Sequence, residues 1–231
     1  MHKIKTSIKD QLKKDLWPEL HPLLDTISFE FVMDEVQKSI KEGRKVYPSP
    51  QLLFRAFALT PVNDVKVVIL GQDPYPKGEA TGLAFGVEDR AIPASLRNIY
   101  RELCDQFNHN ISMDDFDFSL ESWAKQGVLL VNSSFTVEHG RPGSHSKLWD
   151  FILKDMFRII KYRSPKAISL LMGKHAQSYS KFIDGEVIYT PHPAAESYSG
   201  GTSGFFGSGC FYQINDSLKV KGIEPIDWFK K

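Results

Sequence analysis

Three residues able to do acid–base and hydrogen-bond chemistry stand at the ends of short apolar runs: Asp73, Asn132 and His192. Asp73 follows the run 65–70 in Gly71-Gln72-Asp73-Pro74-Tyr75-Pro76. Asn132 closes the run 127–132, and His192 follows the run 186–189 in Thr190-Pro191-His192-Pro193. A fourth run, 167–172, ends on Gly173-Lys174-His175. A carboxylate such as Asp73 serves as a base or as an anion facing a developing cation. Asn132 donates and accepts at once, which suits reading the edge of a ring that carries amide groups. His192 serves as a base or as a donor to an oxyanion. Tyr75 and Phe85 supply flat faces near the acid. Each residue also has a plainer use: Asp73 in turn chemistry, His192 as a satisfied loop histidine, the aromatics in core packing.

Other chemistries lack their residues. Gly173-Lys174 is followed by His175 rather than Ser or Thr, so no phosphate-binding loop is completed. The glycines at 71, 78 and 82 do not make the dinucleotide fingerprint. No serine sits in a nucleophile elbow. The histidines lack zinc spacing, and Cys104 and Cys210 stand alone. What remains is metal-free chemistry on a planar ring bearing amide groups.

These residues must be held by strands. The runs 65–70, 127–132, 167–172 and 186–189 have the length and β-rich character of buried strands, and helical patterns alternate with them. Such alternation predicts an α/β fold with a central four-stranded parallel sheet, doubly wound and flanked by helices. All four strands then point one way, and their polar ends meet at the edge where open α/β sheets bind ligands. Residues 1–45 read as helical, broken by Pro18 and Pro22, with Phe29, Val32, Met33, Val36 and Ile40 on one buried face. Ser95 is expected to cap the helix that starts at 96, and Ser119 a short helix ending near 126. Cys210 to Val220 reads as the closing helix, anchored by Trp228 and Phe229.

The chain has 231 residues, 42% hydrophobic, which suffices for one sizeable core, so a single domain over 1–231 is expected. The formal net charge of +1 neither demands nor excludes a nucleic-acid partner. Two isolated cysteines read as reduced residues of an intracellular protein. Met1-His2-Lys3-Ile4-Lys5 lacks the apolar run of a signal peptide, and no run approaches the length of a membrane span.

The motifs resemble those of the family 1 uracil-DNA glycosylases. Gly71-Gln72-Asp73-Pro74-Tyr75 resembles the family's water-activating motif, and Gly82-Leu83-Ala84-Phe85 its base-stacking segment. Gly127-Val128-Leu129-Leu130-Val131-Asn132 is similar to its pyrimidine-reading strand. His192-Pro193 heads a segment similar to its DNA-insertion loop, and Gly204-Phe205-Phe206-Gly207 and Pro225-Ile226-Asp227-Trp228 also match. The resemblance runs from about Tyr47 to Trp228 in the family's order. It implies excision of uracil from DNA by base flipping and cleavage of the N-glycosidic bond, without metal or cofactor. It assigns Asp73 to the attacking water, His192 to uracil O2, and Asn132 to the N3/O4 edge. Tyr75 would exclude a thymine methyl, Phe85 would stack on the base, and Gln72 would line the pocket.

The resemblance further implies that Ser95, Gly173, Lys174, Glu196, Ser197 and Tyr198 engage DNA. Here the sequence departs from the family. The usual Gly-Ser after the third strand is Gly173-Lys174. The proline-rich loop before Ser95 is thinned to Ile92-Pro93-Ala94. The insertion loop reads His192-Pro193-Ala194-Ala195-Glu196-Ser197 and runs about three residues longer before Gly204. Glu196 stands where the family has a leucine wedge, and a carboxylate is a poor wedge. Tyr198 is the better candidate, because its ring can stack on bases. The expected partners are single- or double-stranded DNA containing uracil, with glycosylase inhibitor proteins or replication factors besides. A monomer in the cytoplasm or nucleus is expected. The rival reading is a glycosylase fold kept as a DNA-bound scaffold or polymerase accessory with residual activity. The presence of Asp73, Asn132 and His192 argues against it, and Tyr75 argues against excision of another base.

Overall fold

Strand β2 (Val67–Gly71) lies between two parallel neighbours and carries the Gln72-Asp73 loop on its carboxyl end. The computed structural model describes residues 2–88 and 91–231, with side chains from residue 9 onward. Met1 and the side chains of residues 2–8, on which the expected lack of a signal peptide partly rests, lie outside the described residues. Ahead of β2 come α1 (His2–Asp15), α2 (Ile27–Lys41), β1 (Val46–Tyr47) and α3 (Arg55–Leu59). After it come α4 (Ala94–Phe107), α5 (Glu121–Lys125), β3 (Val128–Asn132), β4 (Val137–Glu138), α6 (Asp150–Arg163) and β5 (Ile168–Met172). The chain closes with α7 (Gly173–Gln177), β6 (Glu186–Thr190), α8 (Glu196–Ser199) and α9 (Cys210–Val220).

The sheet order is β3-β2-β5-β6, all parallel. Every residue of β2, β3 and β5 is buried, as a sheet covered on both faces requires. The chain runs from β2 out to β3 and then crosses back past β2 to β5, so its winding direction reverses between β2 and β5. That switch point is where a crevice opens at the strand carboxyl ends. The register sets Gly71 beside Asn132 and Met172 beside Thr190, which levels the polar ends of the strands. Among the described residues no helix is long and apolar enough to cross a membrane.

One core cluster runs from Leu12 to Trp228. Trp228 meets Trp123 edge-on at 4.8 Å and accepts its indole N–H through the backbone carbonyl at 3.0 Å, which anchors the tail. Pro18 and Pro22 lie in a 3-10 stretch, Pro18–Asp25, between α1 and α2. On α2, Phe29, Val32 and Val36 are buried, but Ile40 is 48% exposed, because the helix ends at Lys41 and its last turn leaves the core. Ser95 is not the cap of α4. Pro93 holds that position, and Ser95 sits one residue inside with its hydroxyl against Tyr75.

A two-stranded antiparallel ribbon of β1 and β4, each two residues long, is absent from the sequence reading. Its Glu138 is buried and accepts from Ser39 Oγ at 2.6 Å, Arg44 Nη1 at 2.8 Å and Arg141 Nη1 at 2.5 Å. Burial opposes ionisation, but the hydrogen bonds from Ser39 and Arg44 and the charges of both arginines prevail and bring its pKa down to about 2. The ribbon thereby fixes the turn that follows, which reaches back to Asp73.

Candidate active site

Asp73 is half-buried in the loop after β2. Its Oδ2 accepts from the Gly143 N–H at 2.9 Å and from Gln72 Nε2 at 3.0 Å. Its Oδ1 is buried with no partner among the described residues. Such an oxygen costs stability unless function uses it. Burial raises the Asp73 pKa, opposed by the Gly143 and Gln72 hydrogen bonds and the nearby His175 and His145. A carboxylate of raised basicity with one open oxygen is suited to hold and deprotonate water.

The Asp73 loop is stitched to its neighbours. The Gln72 carbonyl accepts from Ser133 Oγ and from the Ser134 N–H, each at 2.9 Å. Because Ser133 donates there, its oxygen accepts from His175 Nε2 at 2.7 Å. Residues after β2, β3 and β5 are thus joined in one chain of hydrogen bonds. The sequence reading missed Ser133, Gly143 and His175; its only signal was that Ser133 and His175 fall within three residues of strand ends.

Asn132 is buried at the end of β3, and its side-chain amide makes no hydrogen bond among the described residues. It lies over Gly71, where an added Cβ would stand 2.2 Å from Asn132 Oδ1, so only glycine fits. Phe85 is buried at φ +67°, a left-handed conformation that strains a bulky residue by about 1–2 kcal/mol. The strain is held by the adjacent Ala84 N–H, which donates to Leu130 O at 3.0 Å. It brings the Phe85 ring within 6.1 Å of the His192 ring. The Tyr75 hydroxyl donates to Phe85 O at 3.3 Å and stands 3.0 Å from Ser95 Oγ, which pins its ring.

His192 Nδ1 accepts from the Ala194 N–H at 3.1 Å. The ring proton is therefore on Nε2, which is left to donate. Burial lowers the His192 pKa, so the ring is neutral at pH 7. Gly173, at φ +84°, packs so closely that an added Cβ would stand 2.7 Å from His192 Cβ. This contact brings the end of β5 against the histidine.

The remaining expected residues divide. Lys174 is exposed and makes no ion pair among the described residues, and Ser197 is exposed with its hydroxyl accepting from Asn98 Nδ2 at 3.2 Å. Tyr198 is 89% exposed. Ser95 and Glu196 are turned inward instead. Ser95 is occupied by Tyr75, and Glu196 is 4% exposed with its carboxylate held by backbone N–H groups.

A family model described as the uracil DNA glycosylase superfamily matches residues 57–219. A uracil-DNA glycosylase of Pseudomonas putida is 39% identical over 217 residues, covering 91% of this chain and 88% of the relative. One of Sinorhizobium medicae is 40% identical over 227 residues, covering 96% and 90%. Among solved structures, mimivirus uracil-DNA glycosylase superposes with a TM-score of 0.80 at 28% identity, over 94% of this chain and 88% of that one. A variant of the mimivirus protein in complex with UGI gives 0.81 at 27% identity, over 93% and 89%.

Proposed function

The chain belongs to the uracil-DNA glycosylase superfamily, and from that premise we propose that Asp73, Asn132 and His192 carry its chemistry, with Tyr75 and Phe85 shaping the pocket. It is a uracil-DNA glycosylase, a hydrolase of the uracil N-glycosidic bond that initiates base excision repair. A base inside a duplex is unreachable, so the target nucleotide must leave the stack. Phe85 then stacks on the flipped uracil. Asn132 Oδ1 accepts from uracil N3–H and its Nδ2 donates to O4, a pattern cytosine reverses. The N1–C1′ bond breaks with its electron pair on uracil, and water oxygen bonds C1′. Asp73 Oδ1 orients that water and takes its proton, while the ionised carboxylate faces the cationic sugar. Neutral His192 donates from Nε2 to O2 as negative charge builds there, stabilising the transition state more than the ground state.

The observation that carries this reading is the buried, unpartnered Asp73 Oδ1. The test is release of free uracil from a single-stranded oligonucleotide in EDTA. Full activity is expected. No release, with DNA binding intact, would favour the scaffold reading; a loss on chelation restored by added metal would overturn the metal-free mechanism.

Lys174, Gly173 and Ser197 hold the DNA backbone beside the flipped nucleotide. Because Lys174 is an exposed cation without an ion pair among the described residues, Lys174→Ala should reduce the log–log salt slope of duplex binding by about one unit. An unchanged slope would mean that its ammonium group points away from phosphate. The protein acts as a monomer inside the cell, a setting supported by its free cysteines, Cys104 and Cys210. An inhibitor protein is a further partner, supported by the UGI complex of the mimivirus relative.

A further inference from the structure

We propose that Glu196 is the internal brace of the insertion loop, and that the residue it positions for entry into the DNA stack is Tyr198. The inference rests on the glycosylase reading above and extends it to base flipping. Glu196 Oε1 accepts from the Phe205 N–H at 2.6 Å and the Phe206 N–H at 2.9 Å, and Oε2 from the Ser203 N–H at 3.3 Å. Its backbone carbonyl accepts from the Gly201 N–H at 3.2 Å. One residue thus ties both ends of the segment 196–206 together. Inside this closure the Thr202 N–H donates to Ser199 Oγ at 3.3 Å, and Thr202 Oγ1 donates to Ser199 O at 2.8 Å. The lengthened loop is therefore a closed turn with its own bonds.

The far side of the segment is held by a second buried carboxylate. Glu102, on α4, accepts from the Gly207 N–H at 2.9 Å and the Gly209 N–H at 3.2 Å. The near side is held by Asn98, whose Nδ2 donates to Pro193 O at 2.9 Å and to Ser197 Oγ at 3.2 Å. Burial alone would disfavour the ionised form of Glu196, but hydrogen bonds from Ser203, Phe206 and Phe205 hold its carboxyl below the ordinary value. A charged brace of this kind grips N–H groups about twice as strongly as a neutral acceptor.

With Glu196 committed inward, its own carboxylate is withdrawn from the outer face of the loop. The large side chain presented outward by α8 is Tyr198, 89% exposed on a backbone held at both ends. A rigid mount matters because a wedge on a floppy loop must lose conformational freedom each time it enters.

The test compares single-turnover uracil excision from matched duplex and single-stranded oligonucleotides for wild type, Tyr198→Ala, Tyr198→Phe, Glu196→Leu and the double variant Glu196→Leu/Tyr198→Ala. Tyr198→Ala should lower duplex excision about tenfold, the equivalent of losing one stacked base, with single-strand excision unchanged and Tyr198→Phe near wild type. Glu196→Leu should lower the duplex rate too, although it places a leucine where the family's wedge stands. The double variant should be no worse than Tyr198→Ala alone, because the brace acts through the tyrosine. A gain in duplex activity for Glu196→Leu would overturn the brace, as would additive losses in the double variant. Equal duplex and single-strand losses in Tyr198→Ala would overturn the wedge; Tyr198 is exposed, so that variant folds. Wild type inactive on single strands would instead bring down the glycosylase reading itself.

Discussion

Asp73→Asn and His192→Ala should each lower kcat by about a hundredfold or more while leaving DNA affinity nearly unchanged. In the proposed mechanism both groups act on charge that exists only in the transition state. Asn in place of Asp73 keeps the volume and the Gly143 contact but supplies neither a proton acceptor at Oδ1 nor an anion facing the sugar. Ala in place of His192 removes the Nε2 donor that the proposed mechanism aims at developing charge on O2. The pH dependence follows from the shifts. Burial raises the Asp73 pKa, so the required ionised form is present above a higher pH than for an ordinary aspartate. Burial lowers the His192 pKa, so the required neutral form persists below the ordinary histidine value. Both requirements point the same way. In wild type, kcat/KM should be level at and above neutrality and fall on the acid side. His192→Ala should keep the part of that limb due to Asp73, and Asp73→Asn should lose it. A basic limb near neutrality in wild type, abolished by His192→Ala, would mean that the histidine acts as an imidazolium.

Much of this site is legible in the sequence because strand ends are. A buried parallel strand is a short run of β-branched and aliphatic residues, and where it stops on Asp, Asn or His the sheet edge receives that side chain. The sheet is legible this way, and the same reading singles out Asp73, Asn132 and His192 as the side chains at its edge. The rest depends on contacts made only after folding. Glu196 reads as a surface carboxylate until the chain returns seven to ten residues later with three N–H groups for it. Ser95 reads as a helix cap until Tyr75, twenty residues earlier, takes its hydroxyl. His175 gains its place through Ser133, forty-two residues away. Glu138 and its two arginines meet through a ribbon of two-residue strands, too short to leave a periodic signal.

Base choice should respond as strongly as rate. A pocket built to pair polar groups rejects the wrong partner by roughly 10⁴-fold, because mismatched donors and acceptors are left buried. In the proposed mechanism Asn132, buried and with its amide unbonded among the described residues, imposes this on cytosine. Asp at that position would have its pKa raised by burial, and the protonated carboxyl can donate to cytosine N3 and accept from its amino group. Asn132→Asp should therefore excise cytosine and lose most of its activity on uracil. Tyr75→Ala should admit thymine, because on the proposed reading the ring, pinned by Phe85 O and Ser95 Oγ, takes the space its methyl needs. Thymine excision by the parent protein at a rate near that of uracil would refute this role for Tyr75.

The central claim is that Asp73, Asn132 and His192 form one uracil-specific hydrolytic pocket. Its most direct test is single-turnover base release by wild type and Asn132→Asp from single-stranded oligonucleotides differing only in one uracil or cytosine. Single strands remove the contribution of flipping and leave recognition and chemistry alone. Wild type should release uracil and leave cytosine intact, and Asn132→Asp should release cytosine. Release of both bases by wild type, or an Asn132→Asp variant that excises uracil at the parental rate, would contradict it.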